Sequence, residues 1–183
     1  MARKLILGEQ DIARILDRLA SEVIDRHGDC KDLVLVGIER RGADLARRLQ
    51  GLIQEKAGHD IGLGTLDINL YRDDWTSMEA SPHVGTSHMR TPITGATVLL
   101  IDDVLYTGRT IRSALEAIQD YGRPNRVELL VLIDRGHREL PIQADYIGRK
   151  IETTNREHID VLLKERDGSD EVDLIYALSL IHI

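Results

Sequence analysis

Three short apolar runs, separated by segments of helical periodicity, constrain this chain more than any other feature. They are Leu33-Val34-Leu35-Val36, Val98-Leu99-Leu100-Ile101 and Leu129-Leu130-Val131-Leu132-Ile133. Continuous apolar runs of this length read as strands buried on both faces. All fall far below the roughly 18 apolar residues of a membrane span. Between them lie amphipathic helices. Over residues 9–27, Ile12, Ile15, Leu16, Leu19 and Val23 share one face, and Gly28 stands at the C-cap position. Ala43, Ala46, Leu49 and Ile53 mark the inner face of a second helix, which Gly58 closes. A third, from about Arg109 to Tyr121, turns Ile111, Ala114, Leu115 and Ile118 inward. Strand and helix in alternation imply an α/β fold: a mostly parallel central sheet flanked by helices. The 183 residues suit one domain spanning the whole chain.

Other segments are less regular. Leu66, Ile68 and Leu70 alternate with Asp67 and Asn69, which predicts a half-buried strand. Residues 72–95 lose the apolar rhythm and are long for a loop in a compact domain, which suggests a lid or a disordered segment, with room for a hidden hairpin. Tyr146-Ile147 predicts a short strand. Ile159-Val161-Leu163 and Val172-Leu174-Tyr176 flank Asp167-Gly168 and predict a C-terminal antiparallel hairpin at one edge of the sheet. The closing Leu178 to Ile183 is unusually apolar for a terminus.

Composition excludes several classes. A single cysteine, Cys30, leaves no disulfide framework and no multi-thiolate zinc site. The N-terminal residues reach Glu9 and Asp11 too soon for a signal peptide, so a cytoplasmic location is expected. A net charge of −7 argues against indiscriminate nucleic-acid binding. Gly62-Leu63-Gly64 lacks the third glycine of a dinucleotide fingerprint, and no phosphate-loop lysine motif exists. His83 and His88, five apart, make a weak metal pair.

The chemistry concentrates in Val98 to Thr110, V-L-L-I-D-D-V-L-Y-T-G-R-T. An apolar strand delivers two adjacent carboxylates, Asp102 and Asp103, to its carboxyl end, where ligands bind in open α/β sheets. Thr107-Gly108-Arg109-Thr110 then opens a helix. A helix N-terminus offers unpaired N–H groups and a positive dipole end to a phosphate. Gly108 permits close backbone approach, and the threonines supply hydroxyls. Two carboxylates beside that phosphate suit the two hydroxyls of a ribose, or a hydrated Mg²⁺. The set describes a site for a ribose 5-phosphate.

This stretch resembles the signature of type I phosphoribosyltransferases, which use phosphoribosyl pyrophosphate (PRPP). Two further strings, L-Y-R-D-D at Leu70 to Asp74 and D-R-G-H-R-E-L-P at Asp134 to Pro141, bring the resemblance to one branch. That branch comprises bifunctional pyrimidine-operon regulators that are also uracil phosphoribosyltransferases. The similarity runs from the first helix to the last hairpin. It implies the type I phosphoribosyltransferase fold with a lid over about residues 72–95. It also implies a reaction in which uracil N1 displaces pyrophosphate from C1 of PRPP, giving UMP, with Mg²⁺ as cofactor.

The resemblance also implies roles. Asp102 and Asp103 hold the ribose hydroxyls and meet Mg²⁺ through water and PRPP. Val104, Leu105, Tyr106, Thr107, Gly108, Arg109 and Thr110 line the substrate, the last four around its 5-phosphate. Arg40 and Arg41 match the pyrophosphate loop; many members carry threonine where this chain has Arg40. Arg72 reaches the pyrophosphate from the lid, with Asp73 and Asp74 helping to order it or meeting Mg²⁺. Asp67 is a weaker candidate on the metal side. Arg135 matches the hood over the nucleobase, and Val161 joins the substrate-lining set. Tyr106 stands where purine-using members place an acid, which disfavours a purine.

A second activity follows from the same branch: uridine-nucleotide-dependent binding, with UMP or UTP as effector, to pyrimidine-operon leader RNA and so transcription attenuation. Arg18, His137, Arg138, Arg149 and Lys150 match basic or polar positions of the RNA face, while Asp17 and Gln143 depart from it. A homodimer or higher homo-oligomer is implied, and no membrane partner. Two other readings remain open from sequence: a nucleotide-sensing RNA-binding regulator with little or no catalysis, and a phosphoribosyltransferase for another base.

Overall fold

The computed structural model describes residues 2–72 and 86–176. Asp73, Asp74, His83 and the apolar Leu178 to Ile183 lie outside the described residues.

The chain opens with strand β1 (Ala2–Leu7) and helix α1 (Glu9–His27). Then come β2 (Leu33–Ile38), α2 (Arg41–Ala57) and β3 (Gly62–Leu66). A 3-10 turn over Asn69–Tyr71 precedes β4 (His88–Met89) and β5 (Thr97–Leu105). Helix α3 (Arg109–Ala117) continues into a 3-10 turn, Ile118–Tyr121. The rest is β6 (Arg126–Asp134), β7 (Tyr146–Lys150), β8 (Glu157–Leu162), the single turn α4 (Lys164–Asp167) and β9 (Glu171–Tyr176). The main sheet has the order β4-β3-β2-β5-β6-β7 and is parallel except for β4.

The apolar runs behave as buried parallel strands. Leu33, Leu35, Leu99 and Ile101 pack on the face shared with α1 and α2. Val34, Val36, Val98 and Leu100 pack on the other, against Ile111, Ala114 and Ile118 of the α3 segment. The alternation within each run fills two cores at once, which is why neither polar nor small residues interrupt it.

Three expectations need correction. The C-terminal hairpin does not extend the edge of the main sheet. It forms a second sheet of order β1-β9-β8, completed by an N-terminal strand that the sequence did not announce. Leu7, Val161, Leu163 and Val172 press this small sheet onto the α1/α2 core, so its apolar face is covered there. The strand expected over residues 66–70 ends at Leu66. The Asp67 carboxylate accepts the Asn69 N–H at 2.9 Å, turning the chain into the 3-10 segment and leaving Leu70 exposed. Finally, β5 does not stop before the acid pair but runs to Leu105, because β6 remains apolar and continues the ladder through Asp102↔Val131 and Val104↔Ile133. The short β4, within the expected lid, pairs antiparallel with β3.

Candidate active site

The carboxyl ends of β2 and β5 meet because the chain lacks a side chain at one point. A Cβ on Gly42 would lie 2.4 Å from the Ile101 carbonyl oxygen and 3.2 Å from Asp102 Cα. Only glycine lets the start of α2 press against β5, and this brings Arg41 beside the acid pair.

Asp102 is buried, with 7% exposure. Its carboxylate accepts the Asp103 N–H at 2.9 Å, and Asp103 in turn accepts the Val104 N–H at 2.8 Å. Burial, reinforced by the neighbouring Asp103 charge, pushes Asp102 well above the usual carboxylate range. Burial also raises Asp103, against the opposing pull of the Asp102 hydrogen bond and the Arg41 charge. Two carboxyls held this way ionise reluctantly until donors arrive. The hydroxyls of a ribose are such donors.

The next residues form an anion cradle. Gly108 caps α3 with φ +93°, a conformation that L side chains rarely adopt. The Thr107 hydroxyl accepts the Arg109 N–H at 3.3 Å. From behind, the N–H groups of Glu139 and Leu140 donate to the Thr107 carbonyl at 2.9 and 3.1 Å, and Arg109 pairs with Glu139 at 2.6 Å. Thr110 is half-buried in the first turn of α3. The Ser113 hydroxyl donates to the Tyr71 carbonyl at 3.0 Å, which ties the residue before Arg72 to the same helix. Arg72 therefore leaves the 3-10 turn beside the cradle.

On the opposite side, Arg41 lies across Asp167 of α4, with Nη2 and Nε at 3.2 and 3.3 Å from its two oxygens. The Glu39–Arg40 peptide bond before it is cis. Arg40 is exposed, and its side chain makes no ion pair among the described residues. Arg166 donates to the Arg40 carbonyl at 3.4 Å and pairs with Asp44 inside α2. The small sheet thus grips the loop that carries both arginines.

The wall beyond Tyr106 differs from expectation. Arg135 is only 5% exposed, and its guanidinium stacks 4.0 Å from the Tyr106 ring centroid. It donates to the Thr153 hydroxyl at 3.2 Å and the Glu157 carbonyl at 2.6 Å. Its head is spent on the protein itself, so Tyr106 is the surface it supports. His137 meets the edge of the same ring, with centroids 5.9 Å apart, and its Nε2 lies 2.5 Å from the Thr153 carbonyl. Leu105 and Val161 are 1% and 2% exposed, with side chains in the core; Val104 is half-buried. With their side chains in the core, Leu105 and Val161 have only their backbone to offer a substrate.

The basic candidates divide. Arg138 is internal: it pairs with Asp134 at 2.7 Å and donates to the carbonyls of Tyr106 and Ile142, both at 2.9 Å. Arg18 reaches from α1 to the Gly148 carbonyl at 2.5 Å, on the strand whose exposed end carries Arg149 and Lys150. Lys150 also lines a cavity of about 300 Å³ with Arg135 and Arg138. Arg18, Arg149 and Lys150 therefore gather along the β7 edge, while Arg138 braces the loop after β6. Sequence reasoning missed Thr153 and Glu157, which set Arg135, and Asp167, which sets Arg41. Only Asp167 carried a signal, as a turn residue. Gly62-Leu63-Gly64 forms strand rather than a phosphate turn, and no cluster of three metal-binding side chains occurs among the described residues.

The family model for a phosphoribosyl transferase domain matches residues 4–166. The chain is 50% identical to bifunctional protein PyrR of Syntrophobacter fumaroxidans, over 92% of this chain and 91% of that protein. It is 52% identical to bifunctional protein PyrR of Desulfosudis oleivorans, over 93% of this chain and 94% of that one. Among solved structures, a hypoxanthine phosphoribosyltransferase from Staphylococcus aureus superposes with a TM-score of 0.67 at 23% identity, covering 95% of this chain and 92% of the other. That likeness is one of fold. No helix among the described residues is long and apolar enough to cross a membrane. The chain belongs to the phosphoribosyl transferase family and, within it, to the group of bifunctional PyrR proteins.

Proposed function

We propose that this protein transfers the ribose 5-phosphate group of PRPP to uracil, giving UMP and pyrophosphate. The observation that carries the reading is the joint placement of Asp102, Asp103 and the Thr107–Thr110 cradle with Arg41 at the same strand ends. The cradle binds the 5-phosphate through helix N–H groups and hydroxyls. The acid pair binds the 2- and 3-hydroxyls and so fixes C1 facing the base. Charge builds on the departing pyrophosphate as the C1–O bond breaks, and Arg41, with Arg72, meets that charge. Uracil N1 attacks from the side of Tyr106. Catalysis is positioning plus electrostatics.

The donor set fits Mg²⁺ carried by substrate. Magnesium is usually held by one or two carboxylates plus substrate phosphates rather than by an all-protein cage, and this site offers two carboxylates. Asp102 and Asp103 would hold it through water and PRPP, and when bound it neutralises pyrophosphate charge.

The regulatory half of the reading rests on the PyrR relatives and on the β7 edge. Arg18, Arg149 and Lys150 supply phosphate contacts for a leader-RNA hairpin, with UMP or UTP as effector. A homodimer or higher homo-oligomer in the cytoplasm completes the reading.

The test is nucleotide formation from PRPP and Mg²⁺ with uracil, orotate, hypoxanthine or guanine. Uracil alone is expected to react. Turnover of a purine base would contradict the reading of Tyr106, and no turnover in protein that still binds UMP would favour a sensor without catalysis.

A further inference from the structure

A second polar site lies away from the acid pair, on the α2 face of the sheet edge. Leu63 and Thr65 of β3 point to that face, being two apart along the strand. His88 sits directly opposite Thr65 in the β3/β4 ladder, so its side chain shares the face, and Arg90 follows two residues on. Arg47 reaches over from α2. Together Arg47, Leu63, Thr65, His88 and Arg90 line a cavity of about 360 Å³.

Its polar groups are not used by the fold. The Thr65 hydroxyl is buried, its residue only 6% exposed, and it has no hydrogen-bond partner. A buried hydroxyl without a partner is disfavoured and rare in native proteins. The side chains of His88 and Arg90 are exposed and make no hydrogen bond or ion pair among the described residues. Arg47 pairs with Asp44 at 2.9 Å yet remains half-exposed, and Asp44 is shared with Arg166. One orphaned hydroxyl beneath the uncommitted His88 imidazole and Arg90 guanidinium, with a second guanidinium from Arg47, is the donor set of an anion site. It is separate from the active site. Arg47 is six residues beyond Arg41, about 9 Å down the helix. Strand β3 lies two strands from β5, about 10 Å across the sheet.

We propose that this cavity binds a phosphate group, with Arg90 and His88 as its charged contacts, Arg47 at its rim and the Thr65 hydroxyl as a donor at its floor. The phosphate is either free or carried by a nucleotide.

The test follows backbone amide shifts of the full chain during titration with inorganic phosphate, and separately with UMP. Amides of Gly64 to Leu66 and His88 to Arg90 are expected to shift and saturate independently of those of Gly108 to Arg112. Saturation of the first group by phosphate alone identifies the free ion; saturation by UMP as well identifies a nucleotide. The double variant His88→Ala, Arg90→Ala is expected to weaken the first response about tenfold or more, the scale of lost charge-assisted hydrogen bonds, and to leave the second intact. Thr65→Val is expected to weaken it severalfold while raising Tm, because the orphaned hydroxyl is gone. Response at Gly108 to Arg112 only, or binding indifferent to both variants, would overturn the proposal.

Discussion

The two halves of the proposed active site, one for the ribose phosphate and one for the base and pyrophosphate, are built in opposite ways. The ribose-phosphate half comes from one continuous stretch, Asp102 to Thr110, running off a buried strand into a helix. Its geometry follows from local rules: a strand end, a positive-φ glycine, a helix N-terminus. The base and pyrophosphate half is assembled from far apart. Arg41 is set by Asp167, 126 residues away, and Arg135 by Thr153 and Glu157, 18 and 22 residues away. The first half is preorganised by the backbone. The second depends on the small sheet staying docked.

The largest effect should come from the local half. Asp102→Asn with Asp103→Asn is expected to cut turnover with uracil by about a thousandfold, near the upper range for losing preorganised electrostatic contacts. Asp102→Asn alone should also raise Tm at neutral pH. The Asp102 pKa in the folded state lies above its ordinary value of 3.8, so ionisation costs stability as pH rises from there through the folded value. An amide escapes that cost, and the advantage over wild type should shrink toward low pH. A Tm difference that grows on acidification would break this account.

Next comes the distant half. Arg135→Ala removes the stack on Tyr106 and two hydrogen bonds from a buried group, and should cost about 2 kcal/mol or more of stability, read by chemical denaturation. Its KM for uracil should rise while PRPP binding is spared, which would separate the halves functionally.

Gly108→Ala should act the other way, raising KM for PRPP severalfold, because the added Cβ meets Leu140 and Ile142 at 3.3–3.4 Å and the φ becomes strained. A KM unchanged for PRPP would show that the cradle is not the 5-phosphate site.

The smallest effect is at the hinge between halves. Asp167→Asn frees Arg41 for pyrophosphate and should lower KM for PRPP by about two- to fivefold, the worth of one partly exposed ion pair, with kcat unchanged. A raised KM would mean that Asp167 positions Arg41 rather than competes for it.

The same contrast explains what could be read from sequence. The central strands, three long helices and the acid-pair motif were legible because each is encoded by contiguous residues with a clear period. Strand β1 was not: Ala2 to Leu5 are mostly exposed, Leu5 by 58%, and only its pairing with β9 makes it a strand. The end of β3 was missed because one side-chain-to-backbone hydrogen bond from Asn69 to Asp67 outweighed an alternating pattern. Arg135 was placed in the right loop, but nothing local shows that its guanidinium turns inward onto Tyr106. Arg138 looked like a surface cation and is instead the brace of the loop after β6.

The most direct test of the central claim is a crystal structure with UMP bound. The account predicts the phosphate at Thr107 to Thr110, the ribose hydroxyls on Asp102 and Asp103, and uracil against the wall that Tyr106 and Arg135 form. A uridine nucleotide seated elsewhere, with that cradle and the acid pair untouched, would contradict it.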